Sequence, residues 1–424
     1  MNPKSEEFKA AISLVREQIA AIKRRGTRSG YIGYTGCWNI CCELIDLLEK
    51  TKKKLNNENY EYSYTVASIV LLNLARLALN ADDSAGGVTM ARDYVVELME
   101  KVCFTIEIGS EAAEYIYLQS MKDCDNKVYD DWDEFIFDIL PYTARLATIK
   151  NSKKMYEFLN KFETKMSGES YSSYHDEFYI LTKLGLTIAT ADEDTISKYI
   201  ETNLNYDSVR RYVAHYSLYT SNYNYAETLC LEKLNGNNPP SEKSYVSEWR
   251  YLLFDIYDKT GDIDKKIATA EDIMFLGDLK YYDILKKLLK KNGSWEAEFP
   301  ILLDSIRSNL EYSDYMKILN KENMLDRLLE EVKSHPGSAF SYAKKLTDKY
   351  PTDMYPLMVN DIWDKAYEAD NRFKYSNLCG LIKRLYKYGG IEEAAKLLID
   401  IKEAFPKKYA LHEELSMLAW EIGR

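Results

Sequence analysis

The sequence has few of the residues that interrupt helices: 9 prolines and 18 glycines in 424 residues. Proline removes a backbone donor and glycine carries an entropic cost inside a helix, so their scarcity favours long helical segments. Long hydrophobic runs are also missing. The most apolar stretch, Val66 to Leu79, contains Ser68, Asn73 and Arg76 and is shorter than the roughly 20 residues that a membrane helix needs. We therefore expect a buried helix there and no membrane contact.

The chain has no excess of basic residues. Its 67 acidic residues outnumber its 56 basic ones, and the formal net charge is −11. A field of this sign repels polyanions, which argues against non-specific binding to nucleic acid or anionic membranes. Hydrophobic residues make up 46% of the chain, enough for large cores, so disorder is excluded for most of it. At roughly 150 residues per domain, the length predicts about three domains.

Features of secreted proteins are missing too. Residues 1–25 carry acidic and basic side chains and no uninterrupted apolar segment, so we expect no secretory signal. The cysteines are odd in number and scattered, which is typical of reduced thiols in a cytoplasmic protein. They are Cys37, Cys41, Cys42, Cys103, Cys124, Cys230 and Cys379. The sequence therefore predicts a cytoplasmic location.

Catalytic and cofactor motifs are not found. The chain has no P-loop and no G-x-S-x-G sequence, and its four histidines are far apart. The histidines are His175, His215, His335 and His412. Gly30, Gly33 and Gly36 have G-x-x-G-x-x-G spacing, which differs from the G-x-G-x-x-G of dinucleotide sites, so we expect a link between helices. We predict no catalytic residue, no cofactor and hence no enzymatic activity.

One group of cysteines resembles a metal site in part. Cys37 and Cys41 lie four residues apart, on one face of a predicted helix, where two thiolates could meet a metal ion. Cys42 points about 100° away from that face, and no histidine lies nearby in the sequence. Buried helical cysteines behave as small hydrophobic residues, so we predict a packing role and no metal.

A second group resembles a calcium loop in part. Asp123, Asp125 and Glu134 occupy positions 1, 3 and 12 of that pattern. Positions 5 and 6 are Lys127 and Val128, where an oxygen ligand and glycine are required. The acidic cluster at 130–133 fits better as the first turn of a helix, where negative charge is favourable.

Helical periodicity dominates the chain. Apolar residues recur at i, i+3, i+4 and i+7 in many segments, which places them on one face of a helix. Examples are Leu325, Leu328, Leu329 and Val332; Leu378, Leu381, Ile382 and Leu385; and Ala394, Leu397, Leu398, Ile401 and Phe405. Short links end at Gly261, Gly293 and Gly389, or at Pro351 and Pro406. Links this short favour antiparallel helical hairpins, so the sequence predicts an all-α fold.

The spacing of the links indicates a repeat. Gly261 and Gly293 are 32 residues apart, close to the length of a tetratricopeptide unit. Tyr386, Gly390 and Ile399, together with Ala395, resemble the tetratricopeptide pattern of an aromatic, a turn glycine and apolar residues. We predict a tetratricopeptide-like solenoid, an α-α superhelix.

Breaks near 167 and 240 predict three parts: an N-terminal helical domain (1–166), middle hairpins (167–240) and C-terminal repeats (241–424). Each break is either a hinge or a loop within one superhelix.

Several short segments resemble the helical region of bacterial SWIM zinc-finger proteins. They are residues 28–34, 82–86 and 130–135, then Tyr342-Ala343, Tyr350-Pro351, Tyr355, Arg372, Tyr375, Phe405, Lys407-Lys408, Ala410-Leu411 and Glu414-Leu415. The zinc module of that family needs C-x-C and C-x-H pairs, and neither occurs in this sequence. The resemblance therefore implies the helical repeats alone, without zinc or the nucleic-acid role of the module.

These patterns favour a non-catalytic scaffold or adaptor that binds a protein or peptide on the concave surface of a solenoid. Because the chain is acidic, we expect a partner that presents basic residues. The alternative, suggested by the resemblance to SWIM zinc-finger proteins, is an auxiliary nucleic-acid-associated protein that makes its contacts through basic runs. These runs are Lys23-Arg24-Arg25 with Arg28; Lys52-Lys53-Lys54; and Lys286, Lys287, Lys290 and Lys291. An enzyme with an unrecognised carboxylate or tyrosine site is a third reading. The 36 tyrosines are expected to fill half-buried positions between helices.

Overall fold

The computed structural model describes residues 3–27, 30–129, 134–166, 173–236 and 243–423. These residues are almost entirely helical, and the only β pairing among them is an isolated bridge between Ile32 and Ala81. The predicted all-α class is therefore confirmed. The predicted breaks at 167 and 240 fall on residues 167–172 and 237–242, which lie outside the described residues.

In the described part of the chain, the α-helices are α1 (Glu6–Gly26), α2 (Tyr34–Lys53), α3 (Tyr60–Asn80), α4 (Gly87–Thr105), α5 (Glu111–Cys124), α6 (Glu134–Phe137), α7 (Leu140–Thr143), α8 (Lys153–Met166), α9 (Ser173–Thr190), α10 (Glu193–Asn203), α11 (Asp207–Tyr219), α12 (Tyr223–Asn235), α13 (Lys243–Thr260), α14 (Ile263–Phe275), α15 (Lys280–Asn292), α16 (Trp295–Asn309), α17 (Tyr312–Lys321), α18 (Leu325–Ser334), α19 (Ala339–Lys349), α20 (Pro351–Glu368), α21 (Arg372–Lys387), α22 (Ile391–Ala404) and α23 (Tyr409–Glu421). Short 3₁₀ helices span Lys127–Tyr129, Ala144–Leu146 and Pro336–Ser338.

Four helices begin at a residue whose side chain caps the first turn. Ser5, Ser110, Asp192 and Asn371 each precede a helix, and each side chain accepts a hydrogen bond from a backbone N–H of the first turn. Such caps satisfy donors that have no partner within the helix.

The predicted C-terminal breaks are also confirmed. Gly261, Gly293 and Gly389 have φ angles of 74°, 76° and 95°, a left-handed region that glycine enters without strain. Helices α13, α15 and α21 end just before these residues.

The chain divides into two compact units, Met1–Thr269 and Ala270–Arg424. In the first unit, α3 packs against α1, α2, α4 and α5. By length and composition alone, it is the one helix among the described residues that could cross a membrane. Its side chains at Val70, Leu71 and Leu74 are fully buried in the core of the unit, so the predicted buried helix is confirmed.

The second unit contains the helices with the clearest amphipathic pattern. Leu328, Leu329 and Val332 on α18 are buried, and the predicted stripe of α22 is buried at Ala394, Leu397, Leu398 and Ile401. Consecutive helices from α17 to α23 pack against one another. One position departs from the tetratricopeptide pattern, because the side chain of Ile399 is 60% exposed.

Many tyrosines join helices. The hydroxyl of Tyr64 on α3 donates to Asp123 at the end of α5 over 2.9 Å. The hydroxyl of Tyr212 on α11 donates to the carbonyl oxygen of Pro141 on α7 over 3.1 Å. A tyrosine can bury its ring and still satisfy its hydroxyl in this way, which explains why tyrosine is common between these helices.

Candidate binding surfaces

The cysteine pair of α2 packs in the core. Cys37 and Cys41 are buried, and the Sγ atom of Cys37 lies 3.6 Å from Oδ1 of Asp83. Burial, followed by the nearby Asp83 carboxylate, raises the pKa of Cys37 to about 11. Burial also raises the pKa of Cys41. Metals bind the thiolate, so this environment opposes binding. The described residues contain no group of three or more His, Cys, Asp or Glu side chains placed to hold a metal ion.

The glycine run serves the junction of α1 and α2. Gly30 and Gly33 lie in the connection between these helices, as predicted, whereas Gly36 lies in the first turn of α2. A Cβ atom added at Gly36 would lie 2.2 Å from the carbonyl oxygen of Gly26. Glycine is thus required because two backbones approach closely.

Two of the three acidic residues of the calcium-like pattern, Asp123 and Glu134, have partners within the protein. The Asp123 carboxylate accepts hydrogen bonds from the Tyr64 hydroxyl, the Ser68 hydroxyl at 2.7 Å and the Gln119 amide at 2.7 Å. The carboxylate of Glu134 lies 3.2 Å from the Arg92 guanidinium. Residues 130–133 of the predicted acidic turn lie outside the described residues. The Asp123 and Glu134 carboxylates therefore join helices of the first unit.

Each of the predicted basic runs contains a cation that forms an ion pair within the protein. Lys52 forms an ion pair with Glu97, and Arg25 pairs with Glu43. The ammonium group of Lys286 lies 2.5 Å from the Glu322 carboxylate. These pairings reduce the positive charge that the predicted basic runs offer to a phosphate. Arg28 lies outside the described residues.

The first unit contains a surface lined with charged side chains that we call the polar face. It is formed by one stripe from each of three helices, at helical spacing, together with the end of α2. Its members are Asp93, Glu97, Glu100 and Lys101 on α4; Arg211, His215 and Tyr219 on α11; Glu248, Asp255 and Lys259 on α13; and Lys52 on α2.

Ion pairs fix the register of the polar face. His215 Nδ1 lies 3.1 Å from Glu100 Oε2, which joins α11 to α4. Arg211 Nη1 donates to Glu248 Oε1 over 2.7 Å, which joins α11 to α13. The charge of His215 also acts on Asp255, which lies about two helical turns beyond Glu248 on α13. Arg211 also acts on Asp93 of α4. Residue numbers on α4, α11 and α13 therefore increase in the same direction across the polar face.

The Glu100–His215 pair is the most buried part of the polar face. Burial favours the neutral forms, but each residue stabilises the charge of the other. The pKa of Glu100 is held below its ordinary value by the charge and hydrogen bond of His215, then by Arg211 and the Tyr142 hydroxyl. Conversely, Glu100 raises the pKa of His215 above its ordinary value, against burial and the charge of Arg211.

Three residues towards the C-terminal ends of α4, α11 and α13 have no hydrogen-bond or ion-pair partner among the described residues. Lys101, Lys259 and the Tyr219 hydroxyl make no hydrogen bond or ion pair with any residue that the structure describes. Burial, then the charges of Lys52 and Lys259, lower the pKa of Lys101. The carboxylates of Glu97 and Asp255 oppose this lowering.

The second unit contains a cavity of about 460 Å³ between α20 and the 3₁₀ helix Pro336–Ser338. Three carboxylates line it, from Asp361, Asp364 and Glu368, against the single cation Lys365. Lys365 lies 3.3 Å from Glu368. Burial raises the pKa of Asp361, as do Asp364 and Glu368, whereas Lys365 opposes the rise. The ring of Tyr367 is 69% exposed beside these groups.

Sequence reasoning named neither surface. It found His215 only as an isolated histidine, because its partner Glu100 lies 115 positions earlier in the chain. The i, i+3 and i+7 spacing of Asp361, Asp364 and Glu368 was visible in the sequence, but paired carboxylates carry no signal in an acidic chain.

Comparison with models of protein families, with curated proteins and with solved structures gives no significant match to this chain.

Proposed function

We propose that this protein is a non-catalytic scaffold that binds a basic segment of a partner protein in the cavity of the second unit. In this proposal, the helical hairpins stack as a tetratricopeptide-like solenoid and hold the cavity rigidly. The packing of consecutive helices from α17 to α23 supports this arrangement, since each hairpin buries its apolar stripe only against its neighbours.

The acidic cavity carries the proposal. Asp361 and Asp364 make no hydrogen bond or ion pair with any described residue. An arginine or lysine of a partner would place its charge between these carboxylates and beside the ring of Tyr367, which adds a cation–π attraction. The cavity volume lies within the range of ligand pockets, roughly 300–1,000 Å³.

Whole-chain electrostatics favours the same partner. The net charge of −11 attracts a basic segment over long range and speeds its encounter. The nucleic-acid alternative has less support, because each of its three basic runs has a cation in an ion pair, at Arg25, Lys52 and Lys286.

The proposal is tested by fluorescence anisotropy with two labelled octapeptides, one alternating arginine and serine and one alternating glutamate and serine. We expect the arginine peptide to bind and the double variant D361N/D364N to weaken its binding by about tenfold, equivalent to ~1.4 kcal/mol. The matched control is E17Q/D46N, which removes two exposed charges from helices of the first unit and should change the affinity less than about twofold.

Two results would contradict the proposal. One is an arginine peptide whose affinity is the same for D361N/D364N and for the wild-type chain. The other is tight binding of single- or double-stranded DNA that weakens steeply with salt, since this dependence reports phosphate contacts and favours the alternative.

A further inference from the structure

The acidic cavity of the second unit continues into an aromatic surface. We call Trp363, Tyr367 and Phe405 the aromatic wall. The first two lie on α20, and Phe405 follows directly after α22. Tyr367 also lines the cavity together with Asp361 and Asp364. One ring therefore borders both the carboxylates and the aromatic wall.

Ring contacts hold Tyr367 in place. The centroid of its ring lies 5.3 Å from that of Phe405, in an edge-to-face arrangement, and 6.0 Å from that of Trp363. Such separations are typical of favourable aromatic pairs. The Tyr367 side chain is nonetheless 69% exposed, whereas Trp363 and Phe405 are half-buried. The aromatic wall thus presents a fixed apolar surface to solvent, directly beside a charged cavity.

A cation next to the aromatic wall is already engaged by the protein. The ammonium group of Lys408 donates to the carbonyl oxygen of Ala369 over 2.7 Å and lies 4.2 Å from the centroid of the Phe405 ring. The lining of the cavity keeps three carboxylates against the single cation Lys365. A basic segment is therefore the partner whose charge fits this part of the second unit, and the aromatic wall is continuous with its site.

The spacing on α20 matches the spacing of an extended peptide. Asp364 and Tyr367 are three residues apart on the helix, so their Cβ atoms lie about 5–6 Å apart. Alternate residues of an extended peptide point to the same side and lie about 7 Å apart. A peptide whose cation meets Asp364 therefore places the side chain two positions away beside Tyr367.

We propose that the basic segment carries an apolar residue two positions from its arginine or lysine, and that this residue packs on the aromatic wall. The inference rests on the function proposed above, because the carboxylates hold the cation. Contact with the aromatic wall removes apolar surface from water, and this contribution does not depend on charge. The recognised chemistry is then a cation with an apolar neighbour on the same side of an extended chain.

The test compares two labelled octapeptides of equal charge, using fluorescence anisotropy and the full chain. One repeats arginine-serine-leucine-serine twice, and the other repeats arginine-serine-serine-serine twice. We expect the leucine peptide to bind the wild-type chain at least about fivefold more tightly than the serine peptide. Added salt should weaken the binding of both peptides and leave the ratio of their affinities unchanged.

Four variants locate the gain in affinity. Y367S removes the exposed ring and should reduce the affinity ratio to about one, whereas Y367F keeps the ring and should retain the ratio. The matched control is Y31S, which removes a tyrosine ring that is 60% exposed in the first unit and should leave the ratio unchanged. D361N/D364N should weaken the binding of both peptides by about the same factor, since both contain the arginines.

The outcomes separate this inference from the function on which it rests. If D361N/D364N weakens the binding of the serine peptide, an affinity ratio near one for the wild-type chain would overturn this inference alone. So would a ratio that persists in a Y367S variant with unchanged helical circular dichroism. A wild-type dimer in sedimentation that Y367S dissociates would also overturn it, because a second copy would then cover the aromatic wall. A serine peptide that does not bind, or that binds D361N/D364N and the wild-type chain equally, would refute the proposed function and this inference with it.

Discussion

Replacing Glu100 by glutamine should lower the stability of the first unit by an amount that depends on pH. The Glu100 side chain is 6% exposed and that of His215 is 20% exposed, so water screens their interaction only weakly. Glutamine keeps the shape and a hydrogen-bond acceptor but removes the charge. His215 then faces the cation Arg211 without its nearest carboxylate.

Two general ranges bracket the stability that E100Q should remove. Removing one partner of a buried ion pair costs about 3–5 kcal/mol, whereas a hydrogen bond to a charged group contributes about 1.5–3 kcal/mol. Since glutamine can still accept from His215, we expect a loss of about 2 kcal/mol in the free energy of unfolding when the pair is fully charged.

The pH window follows from the two directions of shift. The pKa of His215 is raised above 6.5, so its contribution is complete below pH 6.5 and is lost as the pH rises through the raised value. The pKa of Glu100 is lowered below 4.5, so its contribution is complete above pH 4.5 and is lost as the pH falls through the lowered value. The loss of stability caused by E100Q should therefore be largest between pH 4.5 and pH 6.5, where both residues are charged, and smaller at alkaline pH.

Urea denaturation followed by circular dichroism at pH 5.5 and pH 8.5 measures this difference. The control is E97Q, which breaks the more exposed pair with Lys52 and should cost about 0–1 kcal/mol at both values. An E100Q loss that is the same at pH 5.5 and pH 8.5, or below about 0.5 kcal/mol at pH 5.5, would refute the reasoning.

Three further changes test the packing of the first unit. Gly36→Ala should lower the free energy of unfolding, measured by urea denaturation, by about 1–3 kcal/mol, because the new methyl group overlaps the carbonyl of Gly26. An unchanged free energy of unfolding would contradict this contact. Tyr64→Phe should cost about 1–2 kcal/mol, since Asp123 loses a buried donor, and an unchanged urea midpoint would argue against it. Thiol labelling of the native chain, followed by mass spectrometry, should modify Cys42 first, because the other six cysteines are buried; earlier labelling of any of those six would count against their burial.

Local pattern was sufficient for the helices themselves. The apolar stripe of α22 and the turn at Gly261 depend on neighbours within a few residues, so periodicity and turn chemistry predicted both. The buried position of α3 followed from its apolar composition and its polar interruptions in the same way.

The repeat pattern predicted less well at single positions. Ile399 occupies an apolar position of the tetratricopeptide pattern, yet it is exposed, because burial depends on which face of α22 meets α21 and α23. The three predicted domains stay a prediction, since both of their boundaries lie outside the described residues.

The sequence by itself determined the class of fold, the helix ends and the excess of negative charge, because each of these depends on composition or on residues close in the chain. Only the tertiary structure decided which charges meet. Glu100 and His215, or Lys101 and Lys259, are separated by more than a hundred residues, and electrostatic interactions depend on distance in space. Whether a lysine forms a salt bridge, like Lys52, or forms none with the described residues, like Lys101, is therefore set by the packing of helices and not by the local sequence.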